Sequence, residues 1–406
     1  MRVKLRSIAG EYPRHFWVLI GALFIDRVGG ALIFPFLSLY ITNKFGVGMT
    51  EVGGIFAIHS ISSFFGNMVG GALADKFGRR SMLIIGLIFS ALISLGMGLI
   101  EDWELFYLLA FLTGFVANFG GPAVQAMLAD ILPIEKRPDG FGILRVAMNL
   151  AATIGPAIGG VLAGISYLLL FVIDCVVSMI TAVIVYFALP ETKPLLAEGK
   201  KEESVIQTIG GYGKVFKDKI FLALLFLTTF TAIVYFQMNT TLAVYLRDFH
   251  GISSQGFGFI LSLNAACVVL FQFRVTRKVK KHHQLSVMLV GNLFYAVGFA
   301  LYGFTNKYWQ FLVAMVIITV GEMVIAPIVQ TLIANISPED MRGRYMAAYH
   351  LGWGIAVSIG PLAAGIIIDN YNPNWVWYAG GIICSLVAVG YFILKDRIGE
   401  RLAPIS

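Results

Sequence analysis

Charge is scarce in this chain. Asp, Glu, Lys and Arg make up 13% of its 406 residues while hydrophobic side chains make up 58%, so a water-soluble fold would carry more apolar surface than it could bury. Soluble globular classes are thereby excluded. Nucleic-acid binding, which a formal net charge of +7 would otherwise invite, is excluded too, because the bases fall in loops between apolar runs and report orientation instead. Cysteine is nearly absent. Cys175, Cys267 and Cys384 all sit in apolar runs, leave an odd count and show no metal-ligand spacing, so neither a disulfide frame nor a metal or redox site is expected. Gly-x-Ser-x-Gly turns and Walker loops are missing as well, which leaves a membrane-embedded enzyme or receptor, and any cofactor, without support. The basic residues 1–15 lead into an apolar run with no small-residue cleavage site, and a first spanning helix is expected there with no signal peptide.

What the chain has instead is twelve apolar segments, at roughly 16–41, 51–74, 81–100, 104–129, 140–164, 167–189, 219–246, 253–273, 285–304, 308–334, 343–368 and 375–394. Each is about the ~20 residues a membrane helix needs. An even number places both termini on one side. Of the 30 Lys and Arg residues, only Lys44, Arg247 and Lys307 fall in loops on the opposite side and only Arg27 and Arg145 within spans, so both termini are expected in the cytoplasm, in the inner or cytoplasmic membrane. The hydrophilic stretch 190–218 divides the spans six and six. It is the expected linker between bundles at 1–189 and 219–406, with a short amphipathic surface helix around Val205, Ile206, Ile209, Val215 and Phe216.

The chain also repeats itself. Residues 122–160 superpose without a gap on 327–365 at a constant offset of 205, matching Gln125 with Gln330, Pro133 with Pro338, Arg137 with Arg342, Gly155 with Gly360 and Pro156 with Pro361. Apolar helices resemble one another easily, but prolines, arginines and glutamines in one register do not. Spans 4–5 and 10–11 are therefore equivalent, and the fold class expected is an all-α membrane protein of two pseudo-symmetric six-helix bundles.

Between spans 2 and 3 lies Gly70-Gly71-Ala72-Leu73-Ala74-Asp75-Lys76-Phe77-Gly78-Arg79-Arg80, a reversal too short to leave the membrane surface. Gly71, Leu73, Asp75, Gly78, Arg79 and Arg80 occupy the positions of a loop signature of the major facilitator superfamily, which this chain resembles over essentially its whole length. The resemblance implies a cytoplasmic latch, with Asp75 capping a helix of the second bundle and Arg79 paired with Asp130. Only the first half carries the signature, since 274–284 keeps bases but has neither aspartate nor glycine. Span 5 holds Gly142, Ala151, Gly155-Pro156 and Gly159-Gly160, similar to the antiporter signature of that superfamily except that Ala151 replaces a glycine. Small residues there allow close packing and the proline a bend. In the superfamily this signature goes with drug/proton antiporters, so export is favoured over uptake.

An unpaired charge in mid-membrane costs roughly 2.5–3.5 kcal/mol on insertion scales, so each one calls for a partner or a water-filled cavity. Glu322 lies halfway along span 10 with no base within a turn; it is either a carboxyl neutral part of the time, as a proton carrier must be, or a hydrogen-bonded structural glutamate. Asp26 is the second proton-coupling candidate. It and Arg27 point about 100° apart on their helix, so they cannot simply neutralise each other, and Arg145 is a possible partner in the cavity. Asp174, His59 and His350 read as structural. The arginine of an Arg-x-x-Gln-Gly pattern found in span 4 of many proton-coupled members is missing from 110–114 here, which puts coupling through that position in doubt.

Phe34, Asn118, Gln125, Tyr235, Gln237, Asn239 and Trp353, with Asn264, are expected to line a large and mostly apolar cavity. Such a lining suits amphipathic molecules or lipophilic cations better than sugars, whose hydroxyls need many fixed partners. The expected function is that of a monomeric secondary transporter for a small-molecule substrate, exchanging it for protons across the bilayer and exporting it by alternating access. An uptake symporter or facilitator for a metabolite is the alternative.

Overall fold

The computed structural model describes residues 11–193, 213–338 and 341–402. Among these, twelve helices are long and apolar enough to cross a bilayer. They are α1 (Arg14–Phe45), α2 (Met49–Phe77), α3 (Arg79–Leu99), α4 (Trp103–Ile131), α5 (Arg137–Ile165), α6 (Tyr167–Ala188), α7 (Lys219–Thr240), α8 (Ser254–Val279), α9 (Gln284–Phe304), α10 (Tyr308–Ile336), α11 (Arg342–Asn370) and α12 (Asn374–Leu402). The surface helix expected around Val205, Ile206 and Ile209 lies outside the described residues; of its far end, Val215 is buried and Phe216 exposed.

Local chemistry sets the helix ends. Asp102 starts α4 by accepting the Leu105 N–H at 2.8 Å, and Asp218 starts α7 by accepting that of Phe221 at 3.1 Å. Pro35, which has no N–H to give, sits in a 3-10 turn, Phe34–Phe36, that interrupts α1. A short helix, Leu242–His250, follows α7 in the same way. The two stretches end on Gly46 and Gly251, at φ 65° and 64°, where only glycine enters the left-handed region without strain.

Those two glycines are 205 positions apart, and the duplication runs well beyond the part legible in the sequence. The starts of α1 to α5 and of α7 to α11 all differ by that same offset, Arg14 against Lys219, Met49 against Ser254, Trp103 against Tyr308 and Arg137 against Arg342 among them. Contacts repeat with it: the Tyr40 hydroxyl donates to the Met97 carbonyl at 2.6 Å, and the Tyr245 hydroxyl to the Tyr302 carbonyl at 3.1 Å. The register slips only before α12, where residues 371–373 replace the single residue Ser166. A second departure lies in α4, which widens into a π turn at Thr113–Ala117 where α10 stays regular.

The described residues form two compact units. One takes the chain to Gly46, then Ala57 to 193, with Ser254–Gly258 from the start of α8; the other takes Val47–Phe56 from the start of α2, then 213 to Ser253 and Phe259 onward. Lipid offers no hydrophobic drive for helices to associate, so close backbone approach carries much of the packing in each. In the first unit a Cβ at 155 would lie 2.8 Å from the Ala31 carbonyl carbon, and one at 159 would lie 2.6 Å from the Leu32 oxygen, so glycine lets α5 lie against α1. In the second, Gly381 of α12 meets the Ala296 oxygen of α9 in the same manner. There too Asp369 of α11 accepts the backbone N–H groups of Met49 and Thr50, at 3.0 and 2.7 Å, capping the start of α2.

Candidate functional site

In the second unit three helices converge on Glu322. Tyr235 of α7 donates its hydroxyl to one carboxyl oxygen at 2.9 Å, and Asn264 of α8 donates its amide to the other at 2.8 Å. Asn264 also reaches the Thr319 hydroxyl at 2.9 Å, one helical turn before Glu322, and Thr319 in turn donates to the Met315 carbonyl at 2.7 Å. Both oxygens are thus engaged by neutral donors while the side chain stays partly accessible. Tyr235, Phe236, Tyr295 and Trp353 build an aromatic wall beside it, with ring centroids 5.3–6.3 Å apart. Gln237 is not part of this group: it is buried, donating to the Ile233 carbonyl and accepting from Thr241. Asn239 lies two residues further along α7, half-buried.

The first unit arranges its charges differently. Asp26 of α1 accepts the Ser178 hydroxyl of α6 at 2.7 Å, while Asp174, one turn earlier on α6, is buried against Gly29, where a Cβ would lie 2.7 Å from its carboxyl oxygen. Arg27 and Arg145 are exposed, and neither forms an ion pair with a described residue. Asn118, just past the π turn of α4, donates to Ser63 and to the Gly114 carbonyl, and Gln125 is exposed one turn after Pro122. Phe34 forms part of the turn in α1. Of the residues of the span-5 pattern, Gly155 and Gly159 pack on α1, Gly160 meets Gly258, Pro156 lies inside the helix, and Gly142 has open space around it.

At the α2–α3 turn Arg79 is ion-paired with Asp130 and also donates to the Ala126 carbonyl at 3.3 Å. Gly78 has φ 102°, a conformation closed to most side chains, and a Cβ at Gly71 would lie 3.7 Å from the Pro122 ring. Arg80 lies over the Tyr186 ring and donates to that residue's carbonyl. Asp75 is exposed at the end of α2. A further residue completes the turn: Glu191, beyond α6, accepts the N–H groups of Arg79 at 2.8 Å and Arg80 at 3.2 Å, and so caps α3 from a distance in sequence. Partial burial alone would raise the Glu191 carboxyl, but the N–H donors of Arg79, Lys193, Arg80 and Thr192 outweigh it and hold it below the ordinary glutamate value. The leads in the sequence were the Pro-Glu-Thr step after span 6 for Glu191, and the isolated polar Asn264 for the Glu322 site; Tyr295 left no signal among the many aromatics.

Twelve spans, a duplicated frame and polar groups gathered in mid-span define a polytopic helical transport protein. The chain belongs to the Major Facilitator Superfamily, whose family model matches residues 19–283 and 225–405. It is 28% identical over 390 residues to a Na(+), Li(+), K(+)/H(+) antiporter of Planococcus maritimus, covering 89% of each chain. It is 23% identical over 392 residues to the quinolone resistance protein NorA of Staphylococcus aureus (strain MSSA476), covering 96% of this chain and 98% of that one. Its fold matches a crystal structure of a mutant form of the nucleoside transporter NupG with a TM-score of 0.79 at 13% identity, over 94% of this chain and 100% of the other.

Proposed function

We propose that this transporter exports amphipathic or lipophilic small molecules in exchange for protons, with Glu322 as the group that carries the proton. The observation that carries the reading is the geometry at Glu322: a mid-span carboxyl with one oxygen on Tyr235, the other on Asn264, and part of its side chain still accessible. Neutral donors stabilise the charged form without locking it, so the carboxyl can be protonated from one side of the membrane and discharged to the other. Opposite demands on the two states couple the fluxes, and substrate need not touch the proton. Antiport by the Planococcus relative and drug resistance through the staphylococcal one support the direction of transport.

The remaining parts fit this cycle. Two bundles, 1–189 and 219–406, rock about the linker 190–218, with both termini in the cytoplasm, the chain acting as a monomer in the cell membrane. The α2–α3 turn with Gly71, Asp75, Gly78, Arg79, Arg80 and Asp130 latches the cytoplasmic side, and Gly155, Pro156, Gly159 and Gly160 keep α5 packed against leak. The test is pH-gradient-driven transport in proteoliposomes. Glu322→Gln is the permanently neutral form and should lose concentrative transport entirely while still inserting; a glutamine variant that concentrates substrate against its gradient contradicts the proposal.

A further inference from the structure

Two arginines stand in the membrane-spanning part of the first unit, and among the described residues neither is in ion-pair contact with a carboxylate. Arg27 on α1 and Arg145 on α5 are both exposed, and the acid beside the first, Asp26, is turned to Ser178 instead. A guanidinium inside a span is retained only against water or an anion, since lipid tails offer it neither.

They stand on two helices of the same unit that pack on each other. Gly155 packs on Ala31, which fixes how α5 lies along α1; Arg27 is one turn before Ala31 and so shares the face of α1 that meets α5. Arg145 is ten residues before Gly155, so the two arginines differ in height by six residues, about 9 Å on helices that run the same way. Arg145 also heads a polar stripe at helical spacing, Arg145, Asn149 and Thr153, flanked by exposed Val146 and Leu150. At the corresponding positions of the second half stand Ala232 and His350, so paired cationic positions are particular to the first.

We infer that Arg27 and Arg145 form an anion subsite, and that the cargo of this transporter is an amphiphilic acid whose carboxylate they hold while its apolar body lies on the Val146 and Leu150 face. A planar guanidinium matches a carboxylate bidentately, which a lysine pair would not do. The inference rests on the export reading for calling the ligand a cargo, and it replaces the lipophilic cation favoured by the aromatic lining alone. It also suits the energetics of exchange: an anion leaving and a proton entering are both driven by an inside-negative potential.

The test is calorimetric titration of the purified full-length protein in detergent with three naphthyl probes of identical ring and chain, ending in a carboxylate, its methyl ester or a trimethylammonium. The carboxylate should bind about tenfold more tightly than the ester, the size of one charge-assisted contact, with the ammonium weakest. Arg145→Gln and Arg27→Gln should each bring the carboxylate down to the ester's affinity and leave the ester unchanged. Equal binding of acid and ester by the unaltered protein, or preference for the ammonium, overturns the subsite without recourse to any variant. Displacement of the carboxylate by phosphatidylglycerol added to the micelles would make a lipid headgroup the occupant and overturn the cargo. Failure of the export reading shows separately: protein that discriminates the probes but never concentrates substrate has the subsite without the coupling.

Discussion

The two halves share one backbone frame and spend it on different chemistry. Shifted by 205 positions, Tyr235, Asn264, Thr319 and Glu322 of the second half correspond to Gly30, His59, Gly114 and Ala117 of the first. Where the second half sets a carboxyl among donors, the first has two glycines, a histidine and an alanine; α4 widens into its π turn there, and Gly114 lies against the His59 carbonyl of α2. Conversely, Arg27 and Arg145 of the first half face Ala232 and His350 of the second. The duplicated scaffold thus carries its mid-span glutamate in the second half alone and its two arginines within spans in the first. Loss of internal symmetry is where function has been written into a symmetric fold.

The two halves should differ most in how they tolerate changes in packing. Gly155→Leu should abolish transport and destabilise the first unit by about 3 kcal/mol, because the side chain would be driven into Ala31 with backbone directly behind it. Gly360, its counterpart, faces the Gln237 amide, 2.9 Å from where a Cβ would stand, with backbone no nearer than the Ile233 oxygen at 3.3 Å, so Gly360→Ala should cost less than Gly155→Ala. Thermal unfolding of these variants alongside transport assays measures the contrast, and equal losses from the two alanine variants would refute it.

Next in size is the acidic site. Tyr235→Phe removes one donor from Glu322 and keeps the ring, so transport should slow about tenfold with little change in stability. An unaltered rate would make the hydroxyl incidental. Asp130→Asn should act on the first half alone, where the latch turn is found: it leaves Arg79 without its counter-ion and should slow transport several-fold, read together with cysteine accessibility from the two sides.

The smallest effect belongs to Glu191. Its carboxyl is held below the ordinary glutamate value of 4.5 in the folded protein, so its contribution is complete above that value and disappears as pH falls through the lower, folded one. Glu191→Gln should therefore lower stability by about 0.5 kcal/mol at neutral pH, the low end for a cap that is largely exposed, and make no difference in strong acid. A difference that grows on acidification would reverse the assignment.

Much of this frame was legible in the sequence because the bilayer imposes a coarse rule: each span must be long and apolar, and twelve such runs stood out. Interruptions inside spans did not. The segment written as 219–246 breaks at Thr241, and nothing in Leu112-Thr113-Gly114-Phe115 announces a π turn, since both depend on what packs alongside. The duplication was visible only where identical side chains survive, yet helix starts keep the register through five spans whose residues have diverged. Glu322 stood out because a lone acid in a span is costly. Its union with Tyr235 and Asn264 did not, because three separate helices supply them and only tertiary packing decides which polar faces meet. Glu191 was hidden for the same reason: its partners lie 112 and 111 positions away.

Exchange of substrate for a proton carried by Glu322 is read most directly from proton release. Purified protein in weakly buffered detergent, titrated across a series of pH values, should release a proton when substrate is added, and the release should vanish in Glu322→Gln while substrate still binds. Undiminished proton release from the glutamine variant would rule out Glu322 and move the coupling to Asp26.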